Sequence, residues 1–409
     1  MNGKLLLMLA VVSAPLVFAA ISSDEAQTIA SPYIGSDSDI LLLSKPMEVG
    51  SGIYWLYFYS IYSPKKVLIA VDDDNGALVT DETRLSTAAA ALYKMRIIDE
   101  YVEKNKYSFD VIMPVVQSSA GVVMQNQNKL SDLRAQTEAK YPTLSFDAVE
   151  TNLQRVSDLE NDVLPTLQDG SQMWQSFEDS YAASELPYVL DTYGTAYDGL
   201  FGIFDAYNTY SQSITELQSQ VSRSGIKAPD SDSIYNSLEN MRDIGLSSLY
   251  AKFASQDPRT GMQSLLNNED RWVNDSTASF FFRKTRKEAL ESYDALQQTA
   301  NYIISSESVL KACDKNLGSQ VTTFKRNWAD IEYYRTKGTS DAYSKMAQLL
   351  PQAQSLASTI QGTYNRKCVA ASATPTPAQQ NTDFGPILLV LLFVVLAYAY
   401  FKYLQKKGE

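Results

Sequence analysis

The spacing of apolar residues changes near residue 82, and the two patterns predict two kinds of structure. Before that point, apolar side chains form short alternating or continuous runs separated by Gly, Pro and Asn, which is typical of β-strands. After it, apolar residues recur every three or four positions, which is typical of amphipathic helices. We therefore predict a mainly helical protein, with a small α+β module at 20–82 followed by an elongated antiparallel bundle at 83–368.

The module is predicted to contain one helix and an antiparallel sheet. The segment SDEAQTIASPYI favours a short helix capped by Ser22 or Ser23, and DILLLSKPMEVG favours a strand. A stronger strand lies in SGIYWLYFYSIYS, whose side chains alternate between two faces. One face carries Ile53, Trp55, Tyr57 and Tyr59, and the other carries Tyr54, Leu56 and Phe58. We expect Trp55, Tyr57 and Tyr59 to form part of an interaction surface.

The run VLIAVDDDNGALVTDE, Val67 to Glu82, has two interpretations. With Gly76 at the glycine position of an EF-hand loop, Asp73, Asn75 and Glu82 all occupy ligand positions. The first ligand position then falls on Val71, which has no oxygen in its side chain, and the flanks have strand patterns. Asn-Gly between strands favours a β-hairpin with a type I′ turn, so we predict a hairpin that binds no metal.

The order of helix, two strands and a third strand ending Asp-x-x-x-Gly-x-Leu/Val resembles the PepSY family of small cystatin-like domains. The likeness covers residues 23–82. The residues that carry it are Glu25-Ala26, Ile29-Ala30, Ile53 to Ser60, and Val67 to Val79 with Asp72 and Gly76 as the aspartate and glycine. The resemblance implies an extracytoplasmic binding module, which in some relatives acts on peptidases. It implies no catalytic residue.

The helical region contains one unusually long heptad pattern. Apolar residues step by seven, four and three from Ile303 to Ile331, the spacing of a coiled-coil seam. The members of this seam are Ile303, Leu310, Leu317, Val321, Phe324, Trp328 and Ile331. We predict one helix over about Arg283 to Arg335, ~80 Å long. A further helix is predicted around Ser233 to Ser255, and a last one ends near Cys368. The coiled-coil surface could also support a homo-oligomer.

Both ends of the chain have membrane signals. Residues 1–19 combine Lys4, an apolar run and small residues, which is typical of a signal peptide; an uncleaved anchor is the alternative. The uncharged run 384–401 would be ~27 Å long as a helix, close to the ~30 Å hydrocarbon core. A Pro/Thr-rich stalk at 369–383 precedes it, and Lys402, Lys406 and Lys407 follow, which predicts a cytoplasmic tail at 402–409. The protein is thus predicted to be a single-pass cell-membrane protein with its ectodomain outside.

Export would place the only two cysteines where disulfides persist. Cys313 lies on the inward stripe of the long helix, and Cys368 lies on that of the last helix. The midpoint between them falls within TKGTSD, the break between these helices, so the two residues face each other in an antiparallel hairpin. We predict a Cys313–Cys368 disulfide; two buried free thiols are the alternative.

Charge and composition exclude several classes of function. The chain has 35 Lys and Arg against 47 Asp and Glu, a formal net charge of −12, which argues against a nucleic-acid partner. It has no histidine, which excludes Ser-His-Asp and Cys-His nucleophile systems and histidine-ligated zinc. No motif calls for a cofactor or brings a catalytic carboxylate pair together.

Two local motifs have both a functional and a structural interpretation. The cluster SFFFRKTRKEAL, which includes Phe281, Arg283 and Lys284, could meet anionic lipid headgroups or an acidic polymer. It could equally supply ion-pair partners to a neighbouring helix. Asn274 begins an Asn-Asp-Ser glycosylation sequon, which matters only in an exported chain.

These observations favour a membrane-anchored binding or structural protein that presents its N-terminal module and helical surface to another envelope protein. Two other classes remain. One is a ligand sensor that binds a small molecule between helices near residues 193–210 and relays a shift to a partner. The other is a histidine-free hydrolase that uses carboxylates.

Overall fold

The computed structural model describes residues 20–369, and the predicted α+β module is present near their start. Its elements are α1 (Ser23–Ile34), β1 (Leu41–Leu42), β2 (Met47–Val49), β3 (Gly52–Phe58) and β4 (Leu68–Asp72). Ser22 caps α1 through a reciprocal pair of hydrogen bonds with Glu25, as the sequence predicts. Strand β3 is central: β1 and β2 pair with different parts of one of its edges, and β4 pairs with the other, all antiparallel.

Strand β3 is buried on both faces apart from Ile53, because α1 and α2 (Glu82–Arg96) pack on the sheet. Trp55 is 7% exposed, Tyr57 is 2% exposed and Tyr59 is 1% exposed. The expectation that these three rings form an interaction surface is therefore corrected: they are core residues. The alternation that indicated two different faces is real, but both faces are covered by packed helices.

The chain reverses after β4, but the turn differs from the predicted type I′ hairpin. The Asp72 N–H donates to the Ala77 carbonyl at 2.9 Å, and the Gly76 N–H donates to the Asp72 carbonyl at 2.9 Å. Gly76 has φ 66°, whereas Asn75 does not have a positive φ, so a longer loop with one left-handed residue replaces the two-residue turn. The returning segment forms a single bridge, between Val71 and Leu78.

Helices follow to the end of the described residues. After α2 come a π-helix (Ile97–Glu103), α3 (Phe109–Glu138), α4 (Asp147–Ser180), a 3-10 turn (Ala183–Glu185), α5 (Leu186–Arg223), α6 (Asp230–Arg242), α7 (Ser247–Ser255), α8 (Pro258–Leu266) and α9 (Glu269–Ser305). Helices α3, α4 and α5 pack as antiparallel neighbours. Gly170 and Gly199 allow close approach, since a Cβ there would lie 2.3 Å from Phe109 and from Val163 respectively. The sheet and these helices share one hydrophobic core.

The described residues divide into two compact units, 20–288 and 289–369. In the second unit, the end of α9 is followed by α10 (Glu307–Cys313), α11 (Lys315–Lys337), α12 (Ser340–Tyr364) and a short π-helix (Asn365–Val369). Helices α11 and α12 form an antiparallel hairpin at Gly338, which ends α11 with φ 66°. The heptad residues from Ile303 to Ile331 are buried.

Two predicted helices are in fact divided. The prediction of a single helix from Arg283 to Arg335 is wrong, because α9, α10 and α11 are separate helices with breaks at Ser306 and Asp314. Asp314 is extended, and its carboxylate accepts a hydrogen bond at 2.7 Å from the Asn316 N–H, so it caps a new helix. The helix predicted around Ser233 to Ser255 is interrupted between α6 and α7, where Gly245 has φ 84°.

None of the helices within residues 20–369 has an apolar stretch long enough to cross a bilayer. The predicted signal peptide (1–19), the transmembrane helix (384–401), the tail (402–409) and the predicted stalk beyond residue 369 lie outside the described residues.

Candidate functional site

The predicted cysteine pair is found in the second unit. Cys313 ends α10 and Cys368 lies in the last π-helix, and the two are at disulfide distance, with Cα atoms 6.0 Å apart. Lys367 forms an ion pair with the Asp314 carboxylate beside them at 2.5 Å. The pair closes the open end of the α11–α12 hairpin, where the sequence argument places it.

The basic-aromatic cluster serves mainly to hold α9 against the end of α1. The Arg283 guanidinium donates to the Tyr33 carbonyl at 3.2 Å and to the Ile34 carbonyl at 2.9 Å, and it pairs with Asp37 at 2.7 Å. These are the last carbonyls of α1, which have no partner inside their own helix. Lys284 pairs with Glu288 one turn later at 2.8 Å, and Phe281 is half-buried. The ion-pair interpretation of this cluster is the one that the contacts favour.

Asn274 lies on α9 with an exposed side chain, whereas Ser276 of the same sequon is buried. The Ser276 hydroxyl donates to the Trp272 carbonyl at 2.7 Å.

Two of the three consecutive aspartates at the end of β4, Asp72 and Asp73, have side-chain partners within the protein. Asp72 pairs with Arg84 at 2.8 Å, and Asp73 accepts a hydrogen bond at 2.6 Å from the Trp55 indole. The Asp72 carboxylate also accepts from the Asp74 N–H at 3.2 Å. Over residues 20–369, no group of three or more Asp, Glu, Cys or His side chains is arranged to hold a metal ion.

The aromatic residues proposed for a sensor site, 193–210, are packed in the core of the first unit. Tyr193 stacks on Phe109 with ring centroids 3.8 Å apart, and its hydroxyl donates to Glu103 at 3.3 Å. The Tyr197 hydroxyl donates to the Tyr107 carbonyl at 3.0 Å. These rings are packed and hydrogen-bonded inside the core, whereas Gly194 and Asp198 of the same segment line a pocket of about 650 Å³ beside α8.

A pocket of about 400 Å³ lies where the β1–β2 connection, the start of the π-helix and the end of α4 meet. Its walls include three aromatic residues spaced three and four apart on α4. Trp174 stacks on Phe177, and Phe177 stacks on Tyr181, each with centroids 5.2 Å apart. Ser44, Lys45, Met95, Asp99 and Glu178 complete the lining. We call this the aromatic–carboxylate pocket.

The charges at this pocket do not balance. Arg96 forms ion pairs with both Asp99, at 2.9 Å, and Glu100, at 2.6 Å, so one guanidinium serves two carboxylates. The residues that line the pocket supply two carboxylates, Asp99 and Glu178, and one cation, Lys45. Burial raises the pKa of the Asp99 carboxyl, and Glu100 and Glu178 raise it further, although Arg96 and Lys104 oppose them. An additional cation would therefore stabilise the ionised form of Asp99.

The protein already places one ammonium group against these rings. The Lys45 Nζ lies 4.7 Å from the centroid of the Tyr181 ring and donates to the Glu178 carbonyl. This distance is within the range of a cation–π interaction. The chemistry of the pocket thus suits an ammonium or guanidinium group.

Two unusual backbone features border the pocket. Tyr181, which ends α4, has φ 54° and ψ 32°, a left-handed conformation that is uncommon for a bulky residue. It is held there because its N–H donates to the Phe177 carbonyl at 2.6 Å and its carbonyl accepts from Glu48 of β2 at 3.1 Å. Asp99 lies in the π-helix, a geometry often found at functional sites. Strained or irregular backbone of this kind tends to cluster at binding sites.

A larger groove, of about 680 Å³, lies between α3 and α4 but is a weaker candidate. Its polar side chains bind each other: Gln127 donates to Gln154 at 3.0 Å, and Gln154 donates to Asp158 at 2.7 Å. Exposed polar residues on two adjacent helices account for it. The aromatic–carboxylate pocket combines stacked rings with an uneven charge, which is why we favour it.

Comparison with known proteins gives no relative: no family model, curated protein or solved structure matches this chain. The resemblance of residues 23–82 to the PepSY family therefore stays a prediction.

Proposed function

We propose that this chain is a membrane-anchored extracytoplasmic binding protein whose aromatic–carboxylate pocket receives an ammonium group. The observation that carries the proposal is the stack of Trp174, Phe177 and Tyr181 beside Asp99, where carboxylates outnumber cations. Aromatic faces and a partly desolvated carboxylate are the usual means by which proteins bind organic cations. The pocket volume, about 400 Å³, suits one side chain or one small amine.

The membrane anchor and the external location are part of the proposal, and the sequence supports them. The support is the uncharged run 384–401 with lysines directly after it, together with the signal-peptide pattern of 1–19. The PepSY-like pattern of residues 23–82 agrees with an extracytoplasmic binding role. The partner proposed from the sequence is another envelope protein, so the ammonium group is expected on a lysine of that protein. A free amine is the other source.

Calorimetric titration of the full-length chain with n-butylammonium tests the pocket, because this ion matches a lysine side chain. We expect saturable binding that Trp174→Ala weakens about tenfold, since a partly desolvated cation–π contact contributes up to ~2 kcal/mol. Lys45→Met should tighten binding, because it frees the face of Tyr181 and removes a competing cation. Asp169→Asn, an exposed change on the same helix, should have no effect.

A lysine-rich peptide in the same titration distinguishes the two sources of the ammonium group. Peptide binding that n-butylammonium displaces supports a protein partner, and binding of the free amine alone supports a small-molecule ligand. Absence of binding by either probe contradicts the proposed pocket.

Protease added to intact cells tests the location. We expect removal of the ectodomain, whereas full protection of an intact chain would contradict the external assignment.

A further inference from the structure

A second pocket in the first unit has the opposite chemistry. It has a volume of about 410 Å³ and lies between the β3–β4 connection, α2, α8 and the first turns of α9. Its polar and aromatic lining includes Lys66, Tyr93, Asn268, Arg271, Trp272 and Asp275. None of these residues belongs to the aromatic–carboxylate pocket.

Lys66 is a partly buried cation at this pocket. Its Nζ donates to the Ile61 carbonyl at 3.2 Å. Burial lowers the pKa of the Lys66 ammonium, and the nearby Arg271 lowers it too, although Asp275 opposes them. An anion beside Lys66 would favour its charged form.

Arg271 is a second cation with little engagement in the fold. Its side chain is 82% exposed, and its contact with Asp275 is long, at 3.9 Å. An exposed pair at this distance contributes little to stability. The guanidinium is therefore available to form bidentate hydrogen bonds with a ligand, as guanidinium groups do with carboxylates and phosphates.

Trp272 supplies the third observation. Its residue is 3% exposed, and its indole N–H has no hydrogen-bond partner among the described residues. The indole nitrogen has almost no accessible surface, so Trp272 contributes its ring, and not its N–H, to the wall of the pocket.

We propose that this second pocket binds a small organic anion. A carboxylate or phosphate group lies between Lys66 and Arg271. The remainder of the ligand packs on the aromatic wall, where the Tyr93 and Trp272 rings lie 5.1 Å apart. The two cations select a ligand that is negatively charged, and the rings select one with an apolar part.

Nuclear magnetic resonance of the indole N–H groups tests this site in the full-length chain. The protein has four tryptophans, so Trp272→Phe assigns the signal by its disappearance. Benzoate is the carboxylate probe and inorganic phosphate is the phosphate probe. We expect at least one to shift the Trp272 signal in a saturable way, with the other three indole signals unchanged.

Substitutions distinguish specific binding in this pocket from non-specific electrostatic attraction. Lys66→Gln and Arg271→Gln should each weaken the probe at least tenfold, whereas Lys227→Gln, an exposed lysine elsewhere in the same unit, should leave affinity unchanged. The shape of the indole spectrum in each variant reports whether it remains folded. Failure of both probes to shift the Trp272 signal would overturn the proposal, as would equal weakening by Lys66→Gln and Lys227→Gln.

Discussion

Replacing Glu160 by glutamine should make this protein more stable at neutral and alkaline pH. Glu160 lies on the inward stripe of α4, is fully buried, and neither of its carboxylate oxygens has a hydrogen-bond partner. Burial raises the pKa of this carboxyl from 4.5 to about 7. The Ser119 hydroxyl lies near enough to offset a little of the effect, but it does not meet hydrogen-bond geometry.

The raised pKa of Glu160 determines whether its ionisation stabilises or destabilises the fold. A carboxyl whose pKa is higher in the folded state favours folding when it is protonated, so its contribution is fully present below pH 4.5 and is lost as the pH rises through about 7. Ionising Glu160 in the folded protein therefore costs about 3 kcal/mol, an order-of-magnitude figure from the difference between 4.5 and about 7. Glutamine has nearly the same shape and does not ionise.

Denaturant unfolding followed by circular dichroism measures this at a series of pH values. The stability of Glu160→Gln minus that of the unmodified protein should rise by about 3 kcal/mol between acidic and mildly alkaline pH. Glu216→Gln, an exposed change on α5, is the matched control and should show no such rise. A difference that stays constant with pH would refute the reasoning, because it would mean that Glu160 is solvated or paired.

Three further predictions concern features that the sequence predicts. Mass spectrometry of an unreduced digest should recover Cys313 and Cys368 as one linked peptide pair, and separate alkylated peptides would exclude the bond. Reduction of the bond should lower the free energy of unfolding by up to ~4 kcal/mol in the chain-entropy model for a separation of 55 residues. Calorimetric titration with calcium should show no micromolar site, and a saturable site abolished by Asp73→Ala would contradict the turn assignment. Arg283→Met should destabilise the protein by about 1–3 kcal/mol, because it leaves the last carbonyls of α1 unpaired. Arg271→Met on the same helix is the control and should change stability by less than about 0.5 kcal/mol. Equal effects of the two substitutions would refute this role of Arg283.

The local pattern of apolar and polar residues predicts much of the fold but little of the aromatic–carboxylate pocket. The strand at Gly52–Phe58, its antiparallel partners and the facing cysteines follow from alternation and from the position of one turn. The division at Asp314 was missed because the heptad pattern of apolar residues runs through it without interruption. Asp314, which can cap a following helix, was the signal for this break in the sequence. It competes with the apolar periodicity, which tertiary packing preserves on both sides of the break.

The aromatic–carboxylate pocket could not be predicted because its walls come from distant parts of the chain. Lys45, Asp99 and Trp174 meet only when the end of α4 pairs with β2 through Glu48 and Ala182. The spacing of Trp174, Phe177 and Tyr181 was available in the sequence and indicates an aromatic stripe. It gives no sign that the stripe would border carboxylates. Likewise, alternation in β3 could not show that helices cover both of its faces.

The dependence of n-butylammonium affinity on pH tests the central claim most directly. The account predicts that affinity rises as the pH increases through the raised pKa of Asp99, because the ionised carboxylate attracts the cation. In Asp99→Asn, affinity should be low and should lose this pH dependence. Equal affinities in the two proteins, or an affinity of the unmodified protein that does not change with pH, would contradict the assignment of this pocket as a cation-binding site.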